Sequence, residues 1–392
     1  QAQRQAGAQA TLEVAGGVSP QARFEELLRR SEAVLVREGV ARRQTGPLRV
    51  EGAVPSVGHT RTFQVFNADS EFDEVNAVAK YVGARAALYV DEKAPGGGLS
   101  TSDLADARLI DAAVVASRTE DHEADVRMLI DAGYRVMLEK PLTHSVETAA
   151  NFVRDLSEDQ KKKQALMQAF MRRFDDPLAH AKTLLDQNSI GAPFKVVSIL
   201  EDPLPPPVGY NSPGILPDMA VHNIDEAIWL LGARPERVNA LSANLYNFKI
   251  TTVKEDFDDA FLQMGFPNSV IAQIQVSRNH VAGYRNETWI YGDGGLIHVG
   301  HFQEDPLWVT VEAYNREGVI EKKAFQLRDY GEEVPVFIER FGPAYKGELA
   351  YFVDRCLKNE PFSVTQEDGL NAMRVAEAGV RSLRAEENVV TI

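Results

Sequence analysis

A parallel, doubly wound α/β domain followed by an α+β domain is the architecture this sequence predicts, and three observations predict it. Strand-like apolar runs alternate with helix-patterned segments up to about Phe170, as in a parallel sheet assembled from βαβ units. From Phe194 onward the hydrophobic period becomes two, as in half-buried antiparallel strands. The chain has 392 residues, long for one domain and comfortable for two. The expected division is an amino-terminal extension over 1–45, a Rossmann-type doubly wound domain over 46–171, and an α+β domain with a large open antiparallel sheet over 172–392, hinged near 171–177.

The elements follow in order. Gln1–Gly17 is rich in Ala, Gln and Gly, lacks an apolar signal core and does not begin with Met, which predicts a processed or truncated start rather than a secretion signal. Phe24, Leu27, Leu28, Val34 and Leu35 then have helical spacing. Residues 48–54 read as the first strand, 60–72 as an insertion, 72–82 as a helix and 84–90 as the second strand, after which Pro95-Gly-Gly-Gly98 breaks the chain. Asp111–Ser117 is a continuous apolar run of the kind buried in parallel sheets. A helix over 123–132 and a strand over 134–138 complete a βαβ unit, followed by a helix from Ser145 to about 158, a solvated Lys161-Lys-Lys163 and a strand over 165–170. Beyond that, 194–200, 261–266, 270–276, 288–291 and 296–299 alternate, with turns at Pro267-Asn268 and Asp293–Gly295. Asp202-Pro-Leu-Pro-Pro-Pro207 is a short rigid loop between strand and helix.

Composition narrows the function classes. Hydrophobic residues make up 44% and charged residues 25%, ordinary for globular material, and no apolar run approaches membrane-spanning length. A net charge of −15 without a basic stripe argues against nucleic acid or an anionic membrane as partner. One cysteine, Cys356, excludes an intrachain disulfide; its apolar neighbourhood predicts a buried, inert thiol, compatible with a reducing cytoplasm. No His/Cys/carboxylate set has metal-ligand spacing, so no metal is expected.

Three segments carry chemistry. In Gly214–Asp225, Asp218, His222 and Asp225 fall at i, i+4 and i+7, one face of a helix. A carboxylate one turn before an imidazole orients a general base and stabilises its charged form. The same residues also fit a plain structural role, with Asp218 capping a helix that starts after Pro217 and His222 its satisfied partner. In Glu139-Lys140-Pro141, Lys140 follows a strand of a βαβ unit, the end at which open α/β sheets bind ligands; a solvated lysine in a proline-stopped turn is the alternative. Gly52 and Gly58 lie after the first strand where a dinucleotide loop would put glycines, with Val54 between them. Asp91 ends the second strand, where a carboxylate bonds the adenosine ribose and disfavours a 2′-phosphate, so NAD is expected over NADP; Lys93 stands beside it.

These segments, with Ala116–His122, Arg172-Arg-Phe-Asp175, Asp202–Pro207, Ser277–Tyr284, Tyr345–Asp354 and Pro361–Thr365, are similar in content and order to the glucose–fructose oxidoreductase/inositol dehydrogenase (Gfo/Idh/MocA) family over 48–390. The resemblance implies Lys140, Asp218 and His222 as the catalytic set, with Arg172 near the nicotinamide and Tyr284 on the substrate. It places Ser117 and His122 in the loop beneath the cofactor, and implies cofactor contacts from Glu139 and Lys140. Lys140, Arg172, Asp218, His222 and Tyr284 would bind a cyclic polyol or sugar, from which hydride passes to NAD. Where the family's loop carries a second glycine, this chain has Val54. Two other activities fit the same fold: a sugar-processing enzyme with transient redox, and a non-catalytic sensor, against which the intact Lys140/Asp218/His222 set argues. Residues 270–276 are apolar on both parities in part, which, with the resemblance, predicts a homodimer or homotetramer through the open sheet.

Overall fold

The computed structural model describes residues 63–67, 112–203, 213–244, 257–300, 305–327, 336–384 and 389–392. The extension over 1–45, the strands expected at 48–54 and 84–90, the helix at 72–82 and residues 204–207 of the proline loop lie outside them. The chain forms two compact units. One ends at Ala169 and takes in Leu349–Gln366; the other comprises Phe170–Glu348 and Glu367–Ile392.

In the first unit, β1 (Phe63–Asn67), β2 (Ala112–Ala116), β3 (Arg135–Leu138) and β4 (Leu166–Gln168) form a parallel sheet in that order. The strand β1 lies within the stretch 60–72 that the sequence reads as an insertion. Phe-Gln-Val-Phe is locally strand-forming, a signal that the reading as an insertion leaves out. Ala112, Ala113, Val115, Val136 and Leu138 are fully buried, which explains the uninterrupted apolar run in β2. Between β2 and β3 runs α1 (His122–Asp131), burying His122, Val126, Leu129 and Ile130. Helix α2 (Val146–Ser157) is capped by Ser145, whose hydroxyl accepts from Thr148 N at 3.1 Å. The three lysines form one turn, α3 (Gln160–Lys163).

In the second unit a turn of 3₁₀ helix (Met171–Phe174) leads into α4 (Asp176–Asp186) and β5 (Pro193–Glu201). A π turn (Leu216–Ala220) runs straight into α5 (Val221–Leu231), which ends at Gly232 with φ 62°, the left-handed position glycine adopts without strain. There follow β6 (Arg237–Ala243), β7 (Asp259–Gly265), β8 (Ile271–Ser277), β9 (Arg285–Gly292), β10 (Gly295–Gly300), β11 (Trp308–Asn315) and β12 (Gly318–Gln326). Then come α6 (Val336–Lys358), whose residues from Leu349 on belong to the first unit, α7 (Gln366–Arg384), which belongs to the second from Glu367 on, and a short β13 (Val390–Thr391). The nine-stranded sheet has the order β12-β11-β10-β9-β5-β8-β7-β6-β13. It is mixed rather than wholly antiparallel, because β5 and β8 run parallel. Helix α5 packs on β5 and β8, and α4 on β10 and β11. Helix α7 covers the β6–β7 end, where a Cβ on Gly379 would come within 2.7 Å of Leu262 Cδ1. On the opposite face Leu241 and Phe261 are cross-strand partners, 61% and 45% exposed. Cys356 in α6 is half-buried rather than buried. No described helix is long and apolar enough to cross a membrane.

Candidate active site

The parallel pairing of β5 with β8 builds the polar centre of the second unit. Register places Glu201 opposite Ser277, and Asp202 N donates to Ser277 O at 2.8 Å. Asp202 and Arg278 therefore leave the same end of neighbouring strands. The π turn packs against β8 and brings Asp218 Oδ2 to 3.5 Å from Arg278 Nη2. Burial first, then the neighbouring Asp218 charge, push the Asp202 carboxyl up to about 6, against the opposing pull of Arg278 and Arg172. Tyr284, buried just before β9, has its phenol pKa raised by burial and then by Asp202, with Arg172 and Arg340 opposing. Arg172 is itself buried. Its Nη1 donates to Glu226 Oε2 at 2.7 Å, and its guanidinium lies 5.4 Å from the centre of the Phe341 ring. Glu226 also accepts from Ser198 Oγ at 3.0 Å and from Thr288 Oγ1. Buried charge is thus matched by opposite charge and donors, as a low-dielectric interior requires.

His222 opens α5 with its ring edge-on to Phe170, the centroids 6.5 Å apart. The single helical face expected for Asp218, His222 and Asp225 is not kept. The π turn shifts the phase between Asp218 and Asp225 while His222 stays one turn after Asp218, and Asp225 is buried in a bidentate pair with Arg173, 2.9 Å to Nε and 2.6 Å to Nη2. Asp218 is not a helix cap either, since the turn starts earlier, at Leu216, and carries Pro217 inside it. Of the sequence-predicted residues, Arg172, Asp218 and Tyr284 surround Asp202, and His222 stands one turn beyond Asp218. Asp202, Arg278 and Glu226 were not singled out from the sequence. The only sequence signal for the first two is their place within the segments quoted above.

In the first unit the carboxyl ends of β2 and β3 carry the other predicted residues. Ser117 follows β2, and its hydroxyl donates to Asp125 Oδ2 at 2.7 Å. His122 is buried, with Nδ1 2.8 Å from Pro141 O and Nε2 2.9 Å from Ser117 O. Glu139 N donates to Val115 O at 2.8 Å, and Lys140 N to Glu139 Oε2 at 3.1 Å. Hydroxyl, carboxylate and ammonium at parallel-strand carboxyl ends fit the amide and ribose hydroxyls of a nicotinamide nucleoside. Gly52, Gly58 and Asp91, predicted for the pyrophosphate and adenosine ribose, lie outside the described residues. Among the described residues no group of three or more His, Cys, Asp or Glu side chains forms a metal centre.

A parallel sheet with this donor set, joined in one chain to a mixed sheet carrying the Asp202–Arg278–Asp218 cluster, has the make-up of a dinucleotide-dependent oxidoreductase. The chain belongs to the GFO/IDH/MocA oxidoreductase family: residues 59–167 match its NAD-binding Rossmann fold and residues 178–298 its C-terminal domain. An inositol 2-dehydrogenase of Mycolicibacterium gilvum is 30% identical over 70% of this chain and 73% of its own length. A myo-inositol 2-dehydrogenase of Thermotoga maritima is 29% identical over 71% and 79% respectively. In fold, the chain is similar to the crystal structure of a myo-inositol dehydrogenase from Lactobacillus casei in complex with NAD(H) and myo-inositol, with a TM-score of 0.68 at 22% identity, covering 85% of this chain and 97% of that one.

Proposed function

We propose that the protein oxidises a secondary hydroxyl of a cyclic polyol, of the inositol type, with NAD as acceptor. The observation that carries the reading is the Asp202–Arg278–Asp218 cluster with Tyr284 and His222. A ring bearing several hydroxyls needs several fixed donors and acceptors around it, and this group supplies both. The inositol dehydrogenases to which the chain is similar support the same substrate class. NAD, when bound, accepts the hydride from the carbinol carbon.

His222 accepts the hydroxyl proton, the general-base role an imidazole fills near neutral pH. Asp218 stabilises the imidazolium that results. Lys140 donates to the reacting oxygen and stabilises the developing alkoxide, as an oxyanion hole does. Tyr284 and Arg172 orient the substrate, and Ser117, Glu139 and Lys140 hold the nicotinamide end. The exposed pair Leu241 and Phe261 supports self-association through the open sheet face as a dimer or tetramer. A cytoplasmic location fits the net charge and the single thiol. The test is to incubate the protein with NAD and a panel of inositols and open-chain sugars. Accumulating NADH with a cyclic polyol supports the reading, and no net NADH with any of them refutes it.

A further inference from the structure

His122 is 2% exposed, and both of its ring nitrogens face backbone carbonyl oxygens, those of Pro141 and Ser117. A carbonyl only accepts, and a neutral imidazole carries one N–H. Burial, the largest influence, holds the ring's pKa below the usual value, against the two carbonyls and the Asp125 and Glu120 charges. At neutral pH the ring therefore donates to one carbonyl at a time. The Ser117 side has other anchors: Ser117 Oγ is bonded to Asp125, and Asp121 N closes the turn on Arg118 O at 2.8 Å. On the Lys140 side, Leu138 O accepts from Ala169 N at 2.8 Å and Gln168 Nε2 at 2.9 Å. Glu139 N is held by Val115 O, and Leu142 is fully buried. Between these anchors Lys140 and Pro141 have left the sheet, and the Pro141 carbonyl is the backbone group that His122 reaches.

We propose that His122 is a positioning residue for Lys140, donating from Nδ1–H to the Pro141 carbonyl and so fixing where the ammonium is presented. The proposal rests on the reading of Lys140 as the group that stabilises the alkoxide. An asparagine amide nitrogen replaces Nδ1 of histidine and a glutamine amide nitrogen replaces Nε2, so His122→Asn keeps the proposed donor and His122→Gln keeps the other one. Turnover in His122→Asn should exceed that in His122→Gln and His122→Ala. In those two variants it should fall roughly 10- to 100-fold, the scale of a misplacement of about 1 Å, with melting temperature unchanged in His122→Gln. A second readout needs neither cofactor nor substrate. The rate at which a limiting amine-reactive reagent labels Lys140, followed by peptide mass spectrometry, should change in His122→Gln and not in His122→Asn.

Equal turnover and labelling in the Asn and Gln variants would overturn the proposal, as would a joint loss of kcat and melting temperature in all three. Lys140→Ala separates this from the reading beneath it. If that variant keeps wild-type kcat, the role of Lys140 fails, whatever the His122 series shows. If it is slow, adding His122→Gln should cause no further loss, because the two act as one unit; a further loss would also count against the proposal.

Discussion

Asp202→Asn should stabilise the second unit near neutral pH while impairing turnover. In the folded protein the Asp202 carboxyl is pushed from its ordinary value of about 4 up to about 6 by burial and by Asp218. The native state therefore holds a proton that the unfolded chain has already released between about pH 4 and pH 6, so stability falls as pH rises through that window and levels off above it. A shift of about two units corresponds to roughly 3 kcal/mol at about 1.4 kcal/mol per unit, an upper bound because the side chain keeps some contact with water. Asparagine has no charge to bury and still supplies an amide for a substrate hydroxyl. All three tryptophans, Trp229, Trp289 and Trp308, lie in this unit, so urea titrations followed by fluorescence report on it directly. The variant should be the more stable at pH 7 and equal to wild type at about pH 4, below the folded-state value. Equal stability at pH 7, or a gain that persists at about pH 4, would refute the electrostatic argument.

Further outcomes follow from the same geometry. His222→Asn should lower turnover sharply and abolish the acid limb of the kcat/KM profile, whereas Asp202→Asn should keep that limb; the reverse pattern would make Asp202 the base. Glu226→Ala leaves Arg172 buried without its carboxylate (side chains 2% and 0% exposed in the pair), so a loss of about 3–5 kcal/mol in denaturant unfolding is expected, and a loss below about 1 kcal/mol would mean water replaces the partner. Leu241→Asp with Phe261→Asp should give a monomer by light scattering with the fold intact by circular dichroism. An unchanged mass would move the association surface elsewhere.

Much of the fold was readable because its signals are local. The run Ala112–Val115 is apolar throughout because both faces of β2 are covered, and Ser145 marks its helix start with a cap that forms. The same holds for β5, β7, β8 and β9, whose buried residues alternate over part of each strand. Pairing is not local, and it is where the sequence falls silent. Nothing in 193–201 or 271–277 says that these strands run side by side and parallel, yet that pairing alone brings Asp202 beside Arg278. The π turn left no trace beyond Pro217, so the helical spacing of Asp218 and Asp225 suggested a shared face that the extra residue in the turn removes. Arg172 is legible as a site residue only through the family resemblance; its burial against Glu226 depends on the packing of α5 on β5.

The central claim is that hydride leaves a ring carbon of a cyclic polyol for NAD. The most direct measurement uses an inositol deuterated at its carbinol carbons and reads the reduced cofactor by mass spectrometry. One deuterium per NADH formed, in step with ketone production, is the predicted result. Reduced cofactor without deuterium, or polyol turned over with no labelled NADH at any time, would contradict the account.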